Sequence, residues 1–78
     1  MKTVSATLAV DGWSDLTQTV TVAGASATNT VIVTPAPEYH LDYANSMVRC
    51  TAQGANSLTF TCEKVPENAL VVNVLILE

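Results

Sequence analysis

Apolar and polar residues alternate along most of this 78-residue chain, and a period of two predicts strands, not helices. The clearest case is residues 47–53 followed by residues 58–63, with the cluster Gly54-Ala55-Asn56-Ser57 between them as a turn. Uninterrupted alternation puts Val48, Cys50 and Ala52 on one face with Leu58, Phe60 and Cys62. Arg49, Thr51 and Gln53, with Thr59 and Thr61, then fall on the other. A hairpin of this kind has one wet face and one dry face, and the dry face requires a second layer.

The same pattern predicts four more strands. Residues 3–10 carry Val4, Ala6, Leu8 and Val10 on one face, and residues 17–23 turn Val20 and Val22 inward and Thr17, Thr19 and Thr21 outward. Asp11-Gly12 breaks the first strand, and Trp13-Ser14-Asp15 behind it predicts a loop longer than a two-residue hairpin turn. Residues 30–34 contain Val31, Ile32 and Val33 in succession, the mark of a strand covered on both faces or passing between layers. Pro35-Ala36-Pro37 ends that strand, because proline cannot donate to the ladder. The one helix expected is short, over residues 38–45, with Pro37 suited to its first turn, Asn45 to its exit, and Tyr39 and Tyr43 on a common face. The last strand, residues 69–77, sets Val72, Val74 and Ile76 on one side and Val71, Asn73, Leu75 and Leu77 on the other.

Six short strands with one helical interruption predict an all-β, six-stranded antiparallel β-sandwich of Ig-like or Greek-key type, a single domain over residues 1–78. The expected core is Leu8, Val20, Val22, Val31, Val33, Cys50, Leu58, Phe60, Val72, Val74 and Ile76. Val71, Leu75 and Leu77 leave more apolar surface on the second face than so small a chain should expose. They are therefore expected to pack on the helix or on a neighbouring subunit.

Charge narrows the partners. Three basic residues, Lys2, Arg49 and Lys64, stand against seven acidic ones, for a net charge of −4 and no basic cluster, which argues against nucleic acid and against an anionic membrane. Met1-Lys2 resembles the start of a signal peptide, but the residues after it alternate instead of forming an apolar run, so no signal peptide is expected.

Little of the chain has the residue pattern of a reactive site. Straight register would set Cys50 opposite Cys62, close enough on spacing for a cross-strand disulfide. Two reduced cysteines acting as small hydrophobes is the preferred reading. His40 has no nucleophile or orienting group beside it in the pattern, so it is read as a solvated helix histidine. Asp11 and Asp15 offer too few oxygen ligands for calcium and are read as turn formers. No catalytic, cofactor-binding or metal-binding residue is assigned, and the chain is not expected to be an enzyme. Trp13, Tyr39 and Tyr43 allow a stacking surface for a sugar ring; the preferred alternative is that they plug and anchor the core.

Several blocks in order resemble a known module. They are Trp13-Ser14-Asp15 with Thr17-Gln18-Thr19-Val20-Thr21-Val22, Asn29-Thr30-Val31-Ile32-Val33-Thr34-Pro35-Ala36-Pro37, Val48-Arg49-Cys50-Thr51-Ala52-Gln53-Gly54, Leu58-Thr59-Phe60-Thr61-Cys62, and Val65-Pro66 with residues 70–77. This run resembles the small domain at the C-terminal end of tail-fibre, baseplate and other minor structural proteins of phages and prophages of Gram-positive bacteria. The resemblance covers Trp13 to Leu77 and is weakest over residues 38–45. It implies a non-enzymatic virion component, assembled in the bacterial cytoplasm, whose partners are other virion proteins or copies of the same chain, with a role in host attachment. It carries over no catalytic or ligand residues. The alternative function is a carbohydrate-binding module recognising a bacterial surface glycan through Trp13, Tyr39 and Tyr43.

Overall fold

The computed structural model describes residues 2–77 of the chain. Six strands are arranged as two three-stranded antiparallel sheets. β1 (Lys2–Leu8) and β3 (Thr30–Pro35) flank β6 (Leu70–Leu77); β2 (Thr17–Thr21) and β4 (Arg49–Gly54) flank β5 (Ser57–Thr61). Between β3 and β4 the chain makes a 3-10 turn, Pro37–Tyr39, and the short helix α1, His40–Asn45.

Register decides which residues meet. In the first sheet Val4, Val74 and Val33 form one inward row and Ala6, Val72 and Pro35 another, while Thr3, Leu75 and Ile32 form an outward row. In the second, Gln18, Phe60 and Cys50 form an inward row, as do Val20, Leu58 and Gln53. The two inward faces supply one core, in which Leu8, Val22, Leu58, Phe60, Leu70, Val72, Val74 and Ile76 are essentially inaccessible to solvent. Phe60 and Leu58 each contribute about 1.5–3 kcal/mol by this burial. Val20, Val31, Val33 and Cys50, expected in the core, pack against it but keep part of their surface wet.

Three expectations are corrected. The central hairpin does not run in straight register: Cys50 lies opposite Phe60, not Cys62, and a bulge between Cys50 and Ala52 shifts the pairing by one. The shift turns Ala52 out to solvent and Gln53 in. Second, β1 ends at Leu8, and Val10 starts a 3-10 turn with its side chain exposed. The reason is Gln18, whose buried carboxamide donates from Nε2 to the Ala9 carbonyl and accepts the Ala9 amide on Oε1, both at 3.0 Å. Those two bonds take the backbone groups through which β1 would have continued. Third, the Val31-Ile32-Val33 run is not covered on both faces. β3 is an edge strand, and Ile32 points outward beside Leu75, 46% exposed. The helix ends at Asn45, as expected, and the left-handed residue that follows its Ser46 cap is Met47, at φ 53°.

Two glutamines close the gaps between the layers. Gln18 joins β2 to the end of β1. Gln53 donates from Nε2 to the carbonyls of Ser26 and Asn29 at 2.7 Å each, fastening edge strand β4 to the connection between β2 and β3. Outside, the second sheet is lined with threonine. The Thr19 and Thr59 hydroxyls are 2.9 Å apart and those of Thr51 and Thr61 2.8 Å, cross-strand pairs on a wet surface.

Candidate functional site

Strand direction collects three connections at one end of the molecule. Leu8, Pro35 and Leu70 mark that end of the first sheet, and Thr17, Arg49 and Thr61 mark it in the second. The chain passes between these two rows three times: through residues 9–16, 36–48 and 62–69. Trp13, Tyr39 and Tyr43 therefore lie at the same end, which nothing in their spacing along the chain foretold.

The first connection closes on a two-residue hairpin turn. Ser14 and Thr17 exchange backbone hydrogen bonds at 2.8 and 3.0 Å around Asp15 and Leu16, both with positive φ, at 52° and 64°. This is the geometry of a type I′ turn, which ordinarily takes Asn-Gly or Asp-Gly. The Asp11-Gly12 pair, which has that composition, lies instead in the 3-10 turn, where Gly12 fits against Gln18: an added Cβ would come within 2.6 Å of Gln18 Oε1.

The second connection leaves α1 through a Schellman cap. The Met47 amide donates to the Ala44 carbonyl and the Val48 amide to the Tyr43 carbonyl, both at 3.1 Å. The third connection fastens the other two together. The Cys62 amide donates to the Leu16 carbonyl and the Glu63 amide to the Ser46 carbonyl, each at 2.9 Å. Arg49 reaches Glu63 at 2.9 Å on the surface, a pair that adds little stability because both ends are solvated. The end is thus one hydrogen-bonded surface.

The three aromatics are half-buried there, each packed against the core. Trp13 Nε1 is buried with no hydrogen-bond partner in the structure. Burial raises the Tyr43 hydroxyl above its ordinary pKa, and the neighbouring Cys50 adds to the rise. Cys50 and Cys62 are both free thiols. Burial raises each above the ordinary thiol value, opposed at Cys50 by the backbone of Ala52 and at Cys62 by the backbone of Lys64. A thiol held protonated is a poor nucleophile. His40 is exposed, its Nδ1 2.7 Å from the Pro37 carbonyl, and acts as a clasp for the turn into the helix.

No three His, Cys, Asp or Glu side chains are grouped to hold a metal ion among the described residues. A cleft of about 110 Å³ opens between α1 and the third connection, lined by Asp42, Ser46, Lys64 and Pro66 among others. Val71, Leu75 and Leu77 are away from this end or on the outward face of β6, half-buried between flanking strands, with Ile32 exposed beside Leu75. The residues that sequence reasoning missed here are Gln18, Gln53, Leu16 and Met47. Strict alternation does put Gln18 inward, and that signal was available. The chain matches no family model, no curated protein and no solved structure.

Proposed function

We propose that this chain is a non-enzymatic structural and interaction module of a phage or prophage virion, part of a tail fibre or baseplate, built as an Ig-like or Greek-key sandwich. The ordered blocks between Trp13 and Leu77 that resemble virion structural domains support the setting. The strand order supports the sandwich type: the consecutive strands β2 and β3 lie beside β5 and β6 respectively, each pair divided between the sheets. The observation that carries the interaction role is the outward face of the first sheet. Ile32, Leu75 and Leu77 sit there together, and Val71 lies on the same face beyond the polar row of Ser5, Asn73 and Thr34. Such a strip suits a neighbouring subunit or another virion protein. Host attachment belongs to the same reading.

Immunogold labelling with an antibody against this chain, on phage particles from the bacterium that encodes it, tests the assignment. Gold at the tail tip or fibres is expected; the chain found only in the soluble host fraction, with unlabelled particles, contradicts it. A carbohydrate-binding module is the second reading, favoured by the gathering of Trp13, Tyr39 and Tyr43 at one end. Their packing against the core weighs against it, because a stacking platform needs an open ring face. Binding on a glycan array that is lost in a folded Trp13→Ala variant would reverse that preference.

A further inference from the structure

The end that carries the three connections is unlike the rest of the surface in two independent respects. Among the described residues, six large apolar side chains are exposed, and five of them are here: Val10, Leu16, Leu41, Met47 and Val65, at 40% to 64% exposure. The same connections hold six of the seven acidic residues, two in each: Asp11 and Asp15, Glu38 and Asp42, Glu63 and Glu67. The seventh, Glu78, lies outside the described residues. Of the basic residues, Lys2 is at the other end and Arg49 is tied to Glu63, which leaves Lys64.

Backbone conformation adds a third observation. Leu16 and Met47 occupy the left-handed region, where a residue with a Cβ is strained by about 1–2 kcal/mol and glycine is not. Both are nevertheless large, apolar and directed in good part to water. Folding alone favours glycine or asparagine at either position. Strain retained in order to expose an apolar side chain is expected where that side chain has a partner. The two are also held close, since Cys62 bonds to Leu16 and the next residue, Glu63, bonds to the carbonyl that precedes Met47. The surface is already ordered, so binding there costs little conformational entropy.

We propose that this end docks a polypeptide surface with an apolar centre and lysine or arginine at its margin, Leu16, Leu41 and Met47 supplying the contact and the surrounding carboxylates the charge complement. The inference depends on the loop end alone and holds whether or not the chain belongs to a virion. It is distinct from the sheet face on which the virion reading places a subunit contact.

Fluorescence anisotropy of the full chain with a labelled amphipathic peptide of leucine and lysine tests it. Its leucine–glutamate counterpart and neutral phosphatidylcholine vesicles serve as competing probes. Binding of the lysine peptide is expected, weakened at least tenfold between 50 and 500 mM salt, on the order of a screened multi-charge contact. The glutamate peptide and the vesicles should not bind. The variant Leu16→Asn/Leu41→Gln/Met47→Asn keeps residues that suit each backbone position, so it should fold as the parent does by circular dichroism and bind at least tenfold less tightly, on the order of losing an interface hot spot. The exposed-charge variant Asp11→Asn/Asp15→Asn/Glu38→Gln/Glu67→Gln should lose most of the salt dependence, and Ile32→Ser should change nothing. Equal binding of the two peptides, adsorption to the vesicles in place of the peptide, or full binding by the folded triple variant would each overturn the proposal.

Discussion

At the scale of single residues, the informative positions are those where chemistry and backbone disagree. Met47 is the simplest: it caps α1 in a conformation suited to glycine, and its side chain is mostly in water. Met47→Gly should therefore raise the unfolding free energy by about 0.5–1 kcal/mol, because relief of left-handed strain exceeds glycine's added freedom in the unfolded chain. Urea denaturation measures this, and a loss of stability would show that the Met47 side chain packs more than its exposure indicates. Trp13 presents the opposite case, a ring held against the core by its apolar body while its indole N–H goes unpartnered. Trp13→Ala should cost about 3–5 kcal/mol, whereas Trp13→Phe should cost clearly less, since it removes the orphaned donor together with part of the ring. Equal losses in thermal unfolding would contradict the view of Trp13 as a plug.

At the scale of elements, the strands were legible and their ends were not. Period two located five of the six, because valine and threonine alternate without helical spacing, and the β-branched run Val31-Ile32-Val33 located β3. What the pattern could not convey was where side chains compete with the ladder for backbone groups. Gln18 stops β1 by bonding both backbone groups of Ala9, and Gln53 comes inward only because a bulge intervenes between Cys50 and Ala52. The site was less legible still: Leu16 and Met47 look like ordinary loop residues until their dihedrals are known. The junction at Gln18 is a coupled unit, with Gly12 pressed against the same carboxamide. Gln18→Ala should cost about 1–3 kcal/mol by leaving the Ala9 groups unsatisfied. Gly12→Ala should destabilise by displacing that carboxamide, and the double variant should lose less than the sum, because the second change finds the junction already broken. Additive losses in a double-mutant cycle would mean that the two positions act separately.

At the scale of the molecule, charge and apolar exposure are concentrated at one end, while the other end and the threonine face are polar or neutral. The core also carries a pH dependence. Tyr43, Cys50 and Cys62 all have their pKa raised by burial, so the folded state holds their protons more tightly than the unfolded state does. Stability from these groups is complete below the unfolded values and declines as pH rises through the folded ones. Urea midpoints should accordingly fall above about pH 9. Cys62→Ala should flatten that decline even though it lowers stability at neutral pH; an unchanged slope would remove the thiol from the explanation.

The offset register of the central hairpin turns Gln53 inward and fixes how the second sheet covers the first. Cross-strand nuclear Overhauser contacts measured on the isolated chain test it directly. Cys50 should face Phe60, Gln53 should face Leu58, and the Gln53 side-chain amide should lie beside the Ser26 and Asn29 backbone. Contacts placing Cys50 opposite Cys62, with Gln53 out in solvent, would contradict it.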